Sequence, residues 1–198
     1  MTLANGMPEP SGAVAGALRR FSVHEYHRML DAGILTEDDS VELLEGLLVE
    51  KMVRKPRHDV AVSLVQSALG AKLPPTLFCR VQSAITTRDS EPEPDVAVVL
   101  APPRRYTDRH PEPADGALVV EVAEASLDRD RRDKARLYSR AGIAQYWIVN
   151  LVDDEVEVCM HPAAGGSYAR RFSIGRGGSV ALELGDGTVH IDAADLLP

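Results

Sequence analysis

Residues 93–100 read E-P-D-V-A-V-V-L, and residues 117–123 read A-L-V-V-E-V-A. Each is a short, nearly continuous apolar run holding one carboxylate: Asp95 at the head of the first, Glu121 inside the second. Runs of this kind fit central strands covered on both faces. An ionised carboxylate within such a strand is costly unless it is paired or bound to a cation. One acid alone would be read as a turn cap or an arginine partner. Two acids from neighbouring strands can converge on one point, where oxygen ligands suit Mg²⁺ or Mn²⁺. A metal held there lowers the pKa of a bound water and polarises a phosphoryl oxygen.

Downstream, residues 129–141 predict a helix that Gly142 ends. Asp130, Lys134 and Tyr138 fall at i, i+4 and i+8, so they share one stripe, and Ala141 near it turns that stripe toward protein. An exposed Asp130–Lys134 pair would contribute only ~0.3–0.5 kcal/mol. A Lys134 turned instead toward the two acids could stabilise charge on a phosphate and orient the attacking water. Lysine occurs only at 51, 55, 72 and 134. One kept inside an arginine-rich helix suggests that a compact ammonium is wanted there.

Further out, S-V-H-E (22–25) is a capping box for a helix over 19–32, stopped at Gly33. Residues 36–39 are an acidic turn, and 41–52 read as two short β-runs hinged at Gly46. Pro56 opens a helix over 57–72, with Val60, Leu64, Ala68 and Ala71 at helical spacing and Val65 and Leu69 beside them. Residues 77–83 are strand-like, with 84–87 extending them past a bend. Residues 91–94 form a rigid acidic connector, and 101–116 a long loop without periodicity. Residues 145–151 are a third apolar strand, carrying Trp147. The runs 155–160, 168–174, 180–184 and 189–192 predict antiparallel strands packed beside the main sheet.

The chain of 198 residues is 44% hydrophobic and 26% charged, the balance of one soluble globular domain. We expect that domain over 19–198, behind a frayed N-terminal tail over 1–18. A net charge of −8 argues against a polybasic nucleic-acid coat, though not against a local basic cleft. An aromatic content of 5% argues against a base-stacking platform. Cys79 and Cys159 make no C-x-x-C pair, so buried free thiols are expected rather than structural zinc. No run approaches the ~20 apolar residues of a membrane span, and no secretory signal is read. A cytoplasmic protein is expected.

The ordered series E-P-D-V-A-V-V (93–99), L-V-V-E-V-A-E-A-S-L (118–127), D-R-x-x-K (130–134), L-Y-S-R-A-G-I (137–143) and Q-Y-W-I-V-N (145–150) resembles the Uma-two family. That family is a bacterial set classed with restriction endonucleases in the PD-(D/E)xK nuclease superfamily. V-E-L-L-E-G-L-L-V-E-K-M (41–52), Pro56 and His58 fit the same pattern, so the resemblance spans about residues 20–160. It implies an α/β (α+β mixed) fold: a restriction-endonuclease-like core of mixed β-sheet flanked by helices, with the antiparallel C-terminal β-region added. It implies an endonuclease that hydrolyses phosphodiester bonds in DNA with Mg²⁺ (or Mn²⁺).

Carried over by position, Asp95 is the Asp of the PD motif and Glu121 the second acid. The usual lysine position holds Ala123; the resemblance moves the lysine to Lys134. Glu42 completes the catalytic set, with Glu45 the competing choice, facing the other way if both lie on a strand. The metal ligands are Asp95, Glu121 and the backbone carbonyl of Val122. Asn150 and Gln145 depart from the family's usual Asp and Glu.

Other residues carry two readings. His58 could bind phosphate or carry a proton, or merely cap its helix. Arg104 and Arg105, with Arg109 and His110, could grip a DNA backbone or be a solvated loop. Tyr138 and Trp147 read as core, with Tyr138 able to hydrogen-bond into the site and, with His58, Arg104 and Arg105, a candidate nucleic-acid contact. Arg129, Arg131, Arg132, Arg136 and Arg140 give the helix a basic skin laced with acids. A homodimer through the C-terminal β-region is expected, since two sites suit two strands. The competing functions are a non-catalytic nucleic-acid-binding or interaction module on the same fold, and a hydrolase of another phosphoester.

Overall fold

The computed structural model describes residues 18–185 and 187–198. The tail expected over residues 1–18 falls, save its last residue, outside the described residues. Helix α1 (Val23–Asp31) starts at the capping box: the Ser22 hydroxyl accepts from the Glu25 amide at 3.2 Å, and the Glu25 carboxylate accepts from the Ser22 amide at 2.9 Å. It begins later than expected because the chain before it is tied elsewhere, with the Phe21 amide donating to the Gly46 carbonyl at 2.7 Å. Strands β1 (Val41–Leu44) and β2 (Leu47–Glu50) form a tight hairpin. Its two turn residues are left-handed, Glu45 at φ +47 and Gly46 at φ +79. A side chain at 46 would also meet the Arg20 Cβ at 2.7 Å, so glycine is required twice over.

Helix α2 (Pro56–Gly70) carries Pro at its first turn. Its buried face is Ala61, Val62, Val65 and Leu69; Val60 is 50% exposed and Ala71 lies outside the helix. The stripe expected from Val60, Leu64, Ala68 and Ala71 is therefore corrected. Two apolar stripes lie side by side here, and the sheet covers the one through Val65 and Leu69.

Strands β3 (Leu77–Val81), β4 (Val96–Leu100), β5 (Gly116–Ala123), β6 (Gln145–Asn150), β7 (Glu155–Ala163) and β8 (Ser167–Gly175) form one six-stranded sheet in that order. Only β5 and β6 pair in parallel. Strands β9 (Ser179–Leu184) and β10 (Gly187–Asp192) form a separate hairpin. Two of the four C-terminal strands thus extend the main sheet rather than pack beside it. β3 does not continue over 84–87: the chain turns at Gln82 (φ +46), and the Ile85 and Thr86 amides donate to Pro92 and Pro111. The loop 101–116 is more structured than its sequence suggested. It holds 3₁₀ turns at Pro103–Tyr106 and Pro113–Asp115, a buried Tyr106, and a 2.8 Å ion pair from Arg109 to Asp115.

The parallel β5–β6 step demands a crossover across one sheet face. It is made by α3 (Leu127–Arg129), a π-helical turn (Asp130–Lys134) and α4 (Ala135–Ala141), which Gly142 closes at φ +83. Side chains of the sheet alternate between two cores. Val96, Val98, Leu118, Val120, Val122 and Trp147 pack on the α2 side, together with β9, β10 and the C-terminal leucines. Ala97, Val99, Val119, Ala123, Tyr146 and Ile148 pack on the α4 side with Tyr138. Both cysteines are free thiols, Cys159 buried and Cys79 only half-buried. Among the described residues no helix is long and apolar enough to cross a membrane.

Candidate active site

The antiparallel register pairs Val96 of β4 with Val120 of β5. One step further sets Asp95 opposite Glu121, on the face that also carries Ala97, Val119 and Ala123. The Asp95 Oδ2 accepts from the Val122 amide at 2.8 Å and lies 3.1 Å from His58 Nε2. The Glu121 Oε1 accepts from Lys134 Nζ at 2.9 Å and from the Tyr138 hydroxyl at 2.7 Å. Lys134 Nζ is also 3.5 Å from Glu42 Oε1, and Glu42 Oε2 accepts from the Glu93 amide at 3.1 Å. Glu42, Asp95, Glu121 and Lys134 therefore meet in one pocket, each no more than 7% exposed.

Lys134 reaches this point from a helix rather than from β5. Position 123, where a strand lysine would stand, is an alanine sealed in the α4-side core. The π-helical turn widens the helix at Asp130–Lys134, and both end residues are buried. Such turns recur at functional sites because they redirect side chains that regular helix geometry would leave elsewhere. Asp130 is the member that sequence reasoning left out of the site. It is 2% exposed, lines the pocket and accepts from the Ser126 hydroxyl at 2.6 Å. Its signal was its place one helical turn before Lys134.

The electrostatics are dominated by burial and by an excess of acids. Burial pushes the Glu121 carboxyl up to about 8; the Lys134 ammonium pulls it down, and Asp95, Asp130 and Glu42 push it up again. Burial likewise raises Asp130 to about 6 against the pull of Lys134. For Lys134, burial disfavours the charge, but Glu121, Glu42 and Asp130 outweigh it and hold the ammonium firmly protonated. His58 is raised above 6.5 because the hydrogen bond and charge of Asp95 overcome a burial effect of opposite sign. Its Nδ1 is enclosed and has no hydrogen-bond partner among the described residues, with Asp59 Oδ1 at 3.6 Å.

Glu42, Glu121 and Asp130 thus share one internal cation, Lys134, while Asp95 pairs with His58 at 3.1 Å. Among the described residues no three His, Cys, Asp or Glu side chains form a metal-binding group. Mg²⁺ commonly takes one or two carboxylates and completes its shell with water and carbonyl oxygen. Asp95, Glu121 and the Val122 carbonyl fit that requirement, and the surplus of negative charge favours it.

The mouth of the pocket is cationic, with Lys51, Arg54, Lys55 and Arg129 among its lining. Lys51 pairs with Glu93 at 2.7 Å and Lys55 with Glu124 at 3.1 Å. Arg129 donates to the Glu50 carbonyl at 2.9 Å, tying the helix to the end of β2.

Other expected residues lie apart. Glu45 sits in the left-handed turn and binds Arg136 at 3.0 Å and Arg140 at 3.1 Å, outside the pocket. Arg104 and Arg105 are exposed on a 3₁₀ turn that does not line the pocket, and Arg105 leans toward Asp115 at 3.7 Å. Tyr138 is fully buried and its hydroxyl orients Glu121.

Compared with known proteins, the chain matches over residues 23–189 the model of the Uma2 family, described as "putative restriction endonuclease". Its structure is similar to the crystal structure of a "putative nuclease belonging to DUF820" from Anabaena variabilis, at a TM-score of 0.69 and 13% identity. That likeness covers 89% of this chain and 97% of the other, and it shows the fold. No curated protein matches.

Proposed function

The chain belongs to the Uma2 family of restriction-endonuclease-like proteins, and from that premise we propose that it is a Mg²⁺-dependent (or Mn²⁺-dependent) endonuclease that hydrolyses phosphodiester bonds in DNA. One observation carries the reading: Asp95, Glu121 and Lys134 converge in a single acid-rich pocket under a cationic rim. A stability role alone does not call for this arrangement. Replacing buried ion pairs by apolar groups is often neutral or stabilising, so retaining surplus acids points to chemistry.

Asp95, Glu121 and the Val122 carbonyl would hold the cation. When bound, it would polarise the scissile phosphate and ease the ionisation of a water. The protein's own groups do the rest. The Val122 amide and His58 fix the rotamer of Asp95, and the Tyr138 hydroxyl fixes that of Glu121. Lys134, gripped between Glu121 and Glu42, presents a preorganised positive charge where charge grows on the phosphate. The rim cations draw a polyanion to a protein whose net charge is −8. A homodimer would place two such pockets on two strands, and belongs to the same proposal.

The test is calorimetric titration of Mg²⁺ and Mn²⁺ into wild type and Asp95→Asn, followed by plasmid nicking. Wild type binds and nicks; Asp95→Asn loses the binding. Lys134→Ala keeps its circular dichroism and loses about 10²–10³ in cleavage rate, the scale of removing one preorganised donor. Plasmid left intact by the metal-loaded wild type, or nicked equally by Lys134→Ala, would sink the proposal.

A further inference from the structure

β3 pairs Arg80 with Ala97, and Ala97 lies on the same sheet face as the candidate site. Arg80 therefore stands on the site's own face, two strands across and two residues along from Glu121, or roughly 12 Å at a strand spacing of ~4.8 Å and a rise of ~3.4 Å per residue. Its guanidinium lies over the Tyr106 ring at 5.4 Å, and its Nε is enclosed with no hydrogen-bond partner among the described residues. Burial lowers its pKa, and no carboxylate acts to restore it. A half-buried cation with neither counter-ion nor full hydrogen bonding costs stability and calls for an explanation.

The surroundings supply one. Arg80 lines a cleft with Arg54, Gln82, Ser83 and His110. Residues 51–54 line both this cleft and the acid pocket, so they are the wall between the two. The Lys51–Glu93 ion pair braces that wall at 2.7 Å. The acids of the cleft are occupied: Glu93 by Lys51, and Glu91 by His27 at 2.8 Å and the Thr86 hydroxyl at 2.6 Å. Arg54 makes no ion pair among the described residues and stands close enough to His58 for its charge to be felt there.

We infer that Arg54 and Arg80 form a phosphate track: a nucleic-acid strand with its scissile phosphate at the acid pocket crosses residues 51–54 and lays a neighbouring backbone phosphate on Arg80. The inference rests on the nuclease reading and extends it to the path of the substrate. An anion is what an unpaired guanidinium lacks, and a nucleobase supplies none, so the ligand is phosphate rather than a base edge.

The experiment is fluorescence anisotropy of labelled duplex and single-stranded oligonucleotides in EDTA, over a salt series. Wild type is compared with Arg54→Met, Arg80→Met and Arg80→Lys, and each protein is also assayed for Mg²⁺-dependent cleavage. Each methionine variant should bind several-fold more weakly, equally for unrelated sequences. Its slope of log affinity against log salt should fall by about 0.9 on duplex or about 0.7 on single strand, the loss of one phosphate contact. Arg80→Lys should keep the slope, and Arg80→Met should melt no lower than wild type. Wild-type binding and cleavage with unchanged slopes in both methionine variants would overturn the track and leave the nuclease reading standing. A loss confined to particular sequences would overturn it in favour of base reading. A wild type that neither binds nor cleaves would remove both proposals together.

Discussion

The two faces of the six-stranded sheet are built to opposite rules. On the α2 side, Val96, Val98, Leu118, Val120, Val122 and Trp147 meet Leu69, Leu182 and Leu197 in a core that holds no charged side chain. On the α4 side, strands of the same composition present Asp95 and Glu121, and the helix above them offers Lys134, Tyr138 and Asp130. Burying a charge costs far more than burying a methylene group restores. The first face therefore carries the stability that allows the second to hold surplus acids. Strand β5 contains both rules in alternate residues, with Val120 and Val122 facing one way and Glu121 the other.

The sharpest way to break this division is to damage the apolar face and look for an effect at the site. Leu69→Ala, at a fully buried position, should destabilise by about 2–5 kcal/mol in denaturant titration. Cleavage per folded molecule should be unchanged. A parallel fall in turnover would show that the faces are not separable.

The second prediction concerns pH. The Glu121 carboxyl sits at about 8 in the fold against an ordinary 4.5, and Asp130 at about 6 against 3.8. A raised folded pKa means the native state keeps a proton that the unfolded chain has released. The associated stability is complete below the ordinary values and is lost as pH rises through the folded ones. Metal-free protein should thus lose stability between about pH 4 and 8, by at most ~1.4 kcal/mol per unit for one group. Glu121→Gln should flatten the upper part of that decline, and Mg²⁺ should offset it most strongly near pH 8. A metal-free profile that climbs toward pH 8 would contradict the acid excess on the α4 side.

The smallest effect separates two acids three residues apart. Glu45→Gln removes a half-exposed pair with Arg136 and Arg140, worth under ~1 kcal/mol in a melting curve, and should leave cleavage intact. Glu42→Gln should lower the cleavage rate while stability changes little. Equal behaviour of the two would place Glu42 outside the chemistry.

Much of this was legible before any coordinates. Asp95 and Glu121 stand out because a carboxylate in an apolar strand has no inexpensive explanation. The Ser22–Glu25 capping box and the Gly46 turn are local chemistry, complete within a few residues. What could not be read was choice between equivalents. The Val60 and Val65 stripes of α2 have the same period, and only the partner surface selects one. β7 and β8 have the same alternation as β9 and β10, yet the first pair joined the sheet and the second did not. Arg80 reads as one more polar residue in a strand; that no described residue supplies its counter-ion is a fact about space.

The sequence by itself determined which residues could not rest in a plain core, because side-chain polarity and local periodicity are written residue by residue. Tertiary structure decided which of them meet. The first and last of Glu42, Asp95, Glu121 and Lys134 lie 92 residues apart in the chain. A β-register, a tight hairpin and a π-helical turn bring Glu42, Glu121 and Lys134 within hydrogen-bond and ion-pair reach and set Asp95 in the same pocket. Each of those devices is set by how whole elements pack, and packing is a property of the surfaces jointly rather than of any one stretch of chain.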